Sequence, residues 1–160
     1  MLWDGQNAGS AQVWKESQLP AKALGLELHS LPISAIDNLE TGVKDAIKAH
    51  SGALAITGGA LIANITNQVI DLTAKSRLPA IYNRPDDVAN GGLMSYGLDG
   101  IEPYRRAAVL VDKILKGAKP ADLPVEQPTK FAFLINLKTA KQIGLTIPPN
   151  VLARADRVIK

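Results

Sequence analysis

The sequence predicts an α/β fold, a parallel sheet with helices on both faces. Three observations lead there. Short apolar runs alternate with segments whose apolar residues recur every three or four positions. The run Ala53-Leu54-Ala55-Ile56 is apolar throughout, as in a parallel strand covered on both sides. Strand–helix alternation at this interval implies right-handed βαβ units. At 160 residues the chain is expected to form one domain.

Met1-Leu2-Trp3 reads as the end of a strand whose beginning lies upstream, so the start looks like that of a cut chain. Asp4 to Ser10 follows as a polar turn, with Ser10 placed to cap a helix that runs to Leu24 and stops at Gly25. Pro20 is expected to kink or divide that helix. Leu26 to Leu31 reads as a strand that Pro32 ends. Ile36, Leu39, Val43, Ala46 and Ile47 make a helical stripe, and Leu61, Ile62, Ile65, Val69 and Leu72 make another. Between them the apolar strand breaks at Thr57-Gly58-Gly59. Pro79 to Tyr82 is a further strand.

Gly91-Gly92-Leu93-Met94-Ser95-Tyr96-Gly97 is an apolar strand between glycines, read as a crossover with Ser95 and Tyr96 facing a cleft. A helix then starts at Pro103, with Tyr104, Ala107, Ala108, Val111, Ile114 and Leu115 as its apolar face and Gly117 as its stop. Lys119 to Pro128 holds three prolines and reads as an extended connection. Phe131, Phe133 and Ile135 alternate as in a strand, and Thr139 to Ile143 is a short helix. Pro148-Pro149 is expected to precede a last amphipathic helix with Leu152, Ala155 and Val158 inward.

Composition narrows the function. A net charge of +3 with scattered Lys and Arg leaves no nucleic-acid footprint. No apolar run approaches the roughly 18 residues of a membrane span. Without cysteine there is no thiolate chemistry or cysteine–metal site, and no cofactor or metal is expected. In open parallel sheets ligands bind beyond the carboxyl ends of the strands. Those ends supply Asn7, Ser10, Thr57, Gly58, Tyr82, Asn83, Ser95 and Tyr96: hydroxyls, amides and aromatics beside helix starts, a set suited to holding a small anion. It is a poor catalytic set. His29 and His50 have no paired acid and nucleophile, and Asp86-Asp87 suits a helix start better than acid–base work. Thr57-Gly58-Gly59-Ala60 lacks the Lys-Ser/Thr of a phosphate-binding loop.

Several longer stretches resemble the substrate-binding proteins of ABC importers, in the tryptophan/tyrosine-type branch. They are Leu78 to Tyr82, Gly91 to Gly97, Tyr104 to Ala108, Ile114 to Pro128, Ile135 to Ala140, and Gly144-Leu145-Thr146-Ile147-Pro148-Pro149 through Asp156. The first half of the chain matches in layout, and Asn7 and Ser10 match the polar turn after the lobe's first strand. The resemblance implies a Rossmann-like lobe of the type I periplasmic-binding-protein fold, with the carboxyl-terminal half of a family member represented. Residues 1–83 and 125–160 would form the second lobe. Residues 90–117 would be a crossover strand and helix that normally belong to the first. It further implies an extracytoplasmic protein without enzymatic activity. Such a protein would bind a small organic solute, of the amino-acid class or a related compound, between two lobes and deliver it to ABC permease subunits. Where amino-acid binders of the family carry an Asp after the third strand, this chain has Thr57-Gly58-Gly59. The helix bearing Tyr104, Val111 and Leu115 would lack its usual cover, so exchange of the Gly91–Gly117 segment into a homodimer is expected. The other readings are a ligand-sensing domain of a regulator with the same fold and, less supported, a small hydrolase or transferase.

Overall fold

The computed structural model describes residues 1–160. Seven strands and seven α-helices follow one another along the chain, alternating as far as α6. They are β1 (Leu2–Asp4), α1 (Ala8–Ala23), β2 (Leu31–Ile33), α2 (Leu39–Lys48), β3 (Leu54–Ala55), α3 (Ala60–Lys75) and β4 (Ala80–Tyr82). There follow α4 (Pro85–Ala89), β5 (Met94–Leu98), α5 (Glu102–Leu115), β6 (Phe131–Asn136), α6 (Leu137–Gln142), α7 (Pro149–Leu152) and β7 (Arg157–Ile159). The sheet runs β2-β1, then β3-β4-β5-β6-β7. A bridge from Leu2 to Ile56 and the Thr57 N–H donating to Leu2 O join the two parts. Strands β1 to β5 are parallel, β6 is antiparallel to β5, and β7 is parallel to β6.

One face of this sheet is the core. Leu2, Ile33, Leu54, Ile56, Ala80 and Tyr82 project onto it and meet Leu39 and Val43 of α2 and Ile62, Ile65, Val69 and Ile70 of α3 in one buried cluster. The spacing of those helical residues is the reason: each helix turns a single apolar stripe to the sheet. A smaller cluster around Ile135 gathers Ala140, Ile143 and Ile147 on the other face. Right-handed crossovers put α1 on that second face too, since β1 steps to β2 in the direction opposite to β3 and β4.

Five local expectations are corrected. Asn7, not Ser10, caps α1: its Oδ1 accepts from Ser10 N at 2.9 Å. Helix α1 continues through Pro20. Pro32 lies inside β2 rather than after it, tolerated because β2 is an edge strand, while Leu26 to Ser30 is irregular. Consequently His29 is not mid-strand; its carbonyl accepts from the Met1 amino group. The last amphipathic helix is a single turn, α7, and Val158 instead pairs with Ile135 in β7.

Glycine is required at one crowded point. β5 passes directly under the loop that leaves β4, and a Cβ on Gly97 would overlap the carbonyl oxygen of Asn83. Backbone cannot yield as a side-chain tip can. Gly97→Ala is therefore expected to cost about 1–3 kcal/mol in urea unfolding. Gly52→Ala, with open space around its Cβ position, should be close to neutral.

Candidate functional site

The carboxyl ends of β1, β3 and β4 form one rim, and two helix starts meet there. The Ser10 hydroxyl, on the first turn of α1, donates to Gly58 O at 2.6 Å. That bond ties the turn after β1 to the turn after β3. Asn83, just past β4, brings its Nδ2 to within 2.9 Å of where a Cβ on Gly58 would stand, so the missing side chain makes room for the amide. Thr57 is buried beneath them, its hydroxyl 3.4 Å from Leu2 O. Asn7, Ser10, Thr57, Gly58 and Asn83 thus share one small area.

A residue not singled out in the sequence completes it. Asp4, only 4% exposed, ends β1 with its carboxylate across the start of α3. Its Oδ1 accepts from Gln6 N at 3.0 Å and its Oδ2 from Leu61 N at 3.2 Å. A carboxylate at a helix amino terminus meets unpaired N–H groups and the positive end of the helix dipole. Gly59, at φ +153°, permits the approach: a Cβ there would lie 2.7 Å from the Asp4 Cβ. An acidic residue closing the first strand was the available signal, but its partner is 57 residues away along the chain. The start of α3 therefore already carries a carboxylate, on the Leu61 N–H. The start of α1, where Asn7 caps Ser10 N, leaves the N–H groups of Ala8 and Gly9 unpaired.

Three candidate side chains go elsewhere, because strand residues alternate between faces. The Tyr82 ring enters the core, with its hydroxyl 3.2 Å from Thr73 Oγ1. Burial pushes its pKa up to about 12. Ser95, paired with Tyr82 in register, points to the same face and is fully buried near α4 rather than facing a cleft. Its hydroxyl has no hydrogen-bond partner. Tyr96 is on the opposite face, 58% exposed, stacked on Phe131 at 5.6 Å and edge-on to Phe133 at 6.5 Å.

Beyond this rim the chain makes an arm, residues 98–131. It leaves at the end of β5 and returns at the start of β6, strands that continue side by side to Leu98 and Phe131. No residue of α5 within it is buried; Tyr104 is 77% and Leu115 82% exposed. A bidentate surface ion pair, Arg106 Nε to Glu126 Oε2 at 2.8 Å and Arg106 Nη2 to Glu126 Oε1 at 2.6 Å, holds α5 to the returning segment. A cavity of about 900 Å³ lies between them. No cluster of His, Asp and Glu has the arrangement of a metal site, and no helix is long and apolar enough to cross a membrane.

The family model described as ABC transporter substrate binding protein matches residues 1–159. The chain belongs to this family. Its fold is that of an "ABC domain in complex with L-Trp" from Streptococcus pneumoniae, at 26% identity and a TM-score of 0.84, over 99% of this chain and 55% of that one. A conserved domain protein from Vibrio cholerae superposes at a TM-score of 0.87 and 22% identity, over 98% of this chain and 53% of that one. The uncharacterized protein RP367 of Rickettsia prowazekii is 25% identical over 122 residues, 76% of this chain and 40% of that protein. The chain thus spans about half the length of the proteins it matches.

Two predictions concern the buried polar groups. Ser95→Ala removes an unpaired hydroxyl from the interior, so it should leave stability unchanged or raise it by about 1–2 kcal/mol in urea titration. Asp87, buried in the first turn of α4, has its carboxyl pushed above the ordinary 3.8 by burial, with Arg84 opposing and Asp86 adding to the shift. A raised pKa in the fold favours the protonated form. The contribution is therefore present below pH 3.8 and lost as pH rises through the higher native value. Asp87→Asn should gain on the unsubstituted protein as pH goes from 4 to 7, with the two melting curves converging at low pH.

Proposed function

We propose that this chain is one wall of a two-walled solute site in an extracytoplasmic binding protein that serves an ABC importer. The observation that carries the reading is the joint position of rim and arm. The polar cluster of Asn7, Ser10, Gly58 and Asn83 lies at the strand ends from which the arm also departs. A body packed on the exposed apolar face of α5 would cover an element that leaves from that same end of the sheet. In this reading residues 1–83 and 125–160 are one lobe. Residues 90–117 are lent to a second lobe, and the neighbours, of which this chain covers 53–55%, have length enough beyond the match to form one.

The solute is a small organic compound carrying an anionic group, of the amino-acid class or related to it. The anionic group sits at the start of α1, where Ala8 and Gly9 offer N–H groups, and not at the start of α3, where the Asp4 carboxylate on Leu61 N–H would repel it. The L-Trp held in complex by the pneumococcal neighbour is consistent with that class. Asn83 and the Thr57–Gly58 turn supply the remaining polar contacts. Tyr82 and Ser95 contribute through their backbone only, and Tyr96 lies to one side. Solute touching both walls would favour the closed form, which the permease recognises. Exchange of the Gly91–Gly117 segment between two copies is the other way to cover α5.

Calorimetry with amino acids, purines and small carboxylates tests this. A polypeptide containing both lobes should bind one solute at 1:1, and Asn83→Ala should weaken that binding about five- to tenfold, the worth of one hydrogen bond. The present chain alone should show no sub-micromolar binding, because one wall cannot bury most of a ligand. Tight 1:1 binding by this chain alone would overturn the two-walled site. Light scattering that finds a dimer would assign the cover of α5 to a second copy.

A further inference from the structure

The ends of β1, β3 and β4 and the turns after them hold one cation and one buried anion. The cation, Arg84, already pairs with Asp86 at 3.5 Å. The anion is Asp4, whose two oxygens each accept one backbone N–H, from Gln6 and from Leu61. No Lys, Arg or His pairs with it. Two such bonds occupy about half of a carboxylate's acceptor positions and leave it without a counter-ion. That charge lies close to the first turn of α1. Asp4 Oδ2 and Ser10 Oγ stand 2.9 Å and 3.2 Å from the point that a Cβ on Gly59 would occupy. The two oxygens are therefore within about 6 Å of each other, with no side chain at Gly59 to come between them. Asp4 has little room to turn away. It shares its face of β1 with the buried Leu2, and the backbone of Gly59 closes over its Cβ.

We infer that Asp4 determines the charge of the solute this rim accepts, restricting its anionic group to a single negative charge. A carboxylate fits that limit; a phosphate ester or a dicarboxylate head does not. The inference rests on the solute reading above and narrows it. Repulsion between unit charges about 6 Å apart, at an effective dielectric constant of about 20, is worth about a hundredfold in an equilibrium constant. Salt in ordinary buffer reduces this to about tenfold. For one charge the start of α1 offsets the repulsion, with the free N–H groups of Ala8 and Gly9 and about half a unit of helix charge. A second charge on the same group meets the repulsion again. It finds no further cation on these turns, since Arg84 is engaged by Asp86. Asp4 acts here through its charge alone and makes no contact with the solute.

Two ions of like shape separate charge from size: methanesulfonate, with one negative charge, and sulfate, with two. Each is titrated into the isotope-labelled chain at constant ionic strength, and the amide resonances of Ala8 and Gly9 are followed by NMR. Methanesulfonate should move them at about tenfold lower concentration than sulfate. Asp4→Asn removes the charge and keeps an acceptor, and Asp4→Ser does the same with a smaller group. Circular dichroism confirms that each variant folds. In both, sulfate should gain about tenfold more than methanesulfonate, so that the preference disappears. Damage to the turn would weaken both ions together; only the loss of a charge moves their ratio. Sulfate binding as tightly as methanesulfonate to the unsubstituted chain would overturn the inference. So would a preference that persists in both variants. In either case the shifts of Ala8 and Gly9 would leave the anion site itself standing. If neither ion moves those two amides, the anion site fails and the inference falls with it.

Discussion

Leu2, Leu54, Ile56, Ala80 and Tyr82 lie on one face of the sheet, against α2 and α3, and none is more than 6% exposed. Each large apolar side chain buried in this way stabilises the fold by about 1.5–3 kcal/mol. This single packed face fixes much else. It sets the register of the central parallel strands, because a slip of one residue would send every one of these side chains to the wrong side. It also holds α3 at the angle from which its first turn meets the end of β1. The contact between Asp4 and Leu61 N is a consequence of that placement.

The same constraint decides which strand-end groups reach the rim. Side chains that share parity with the core residues are drawn inward, so Tyr82 packs against Thr73 and Ser95 is sealed near α4. What remains for a ligand comes from the turns, where backbone alternation no longer applies: Asn7, Gly58 and Asn83. Gly58 and Gly59 admit close neighbours on either side, the Asn83 amide at the first and the Asp4 carboxylate at the second. The rim is thus assembled from three separate turns, with the Ser10–Gly58 hydrogen bond as the tie between two of them.

Much of the fold was legible in the sequence, and for a physical reason. Residues Leu39 to Ala46 and Leu61 to Leu72 carry strict helical periodicity, and Ala53 to Ile56 carry none, which separates a helix stripe from a strand; the expected cover on both sides of that strand is not met, since Leu54 and Ile56 are buried but Ala53 is exposed and Ala55 half-buried. The carboxyl terminus misled. Leu152, Ala155 and Val158 have helical spacing, yet the segment turns at Asp156 and pairs with β6. Asp156 donates its N–H to Phe133 O, and its carboxylate accepts from Phe133 N. The open edge of β6 decided the matter, and an edge is a property of the assembled sheet. Side-chain direction at Tyr82 and Ser95, and the meeting of Asp4 with α3, were hidden for the same reason. Each depends on what lies across tens of residues of intervening chain.

Pro32 carries a consequence for the margins of the sheet. Leu31 donates its N–H inward to Met1 O, so alternation turns the nitrogen of the next residue outward, and in proline that nitrogen has no hydrogen. The outer edge of β2 therefore lacks a donor at the position where an added strand would need one. The far edge, β7, carries the exposed side chain of Arg157, with Lys160 just beyond it. One border is blunted by a missing hydrogen and the other by charge. Ribbon-like stacking of copies into fibrils is discouraged at both, even in a molecule that leaves apolar surface bare elsewhere.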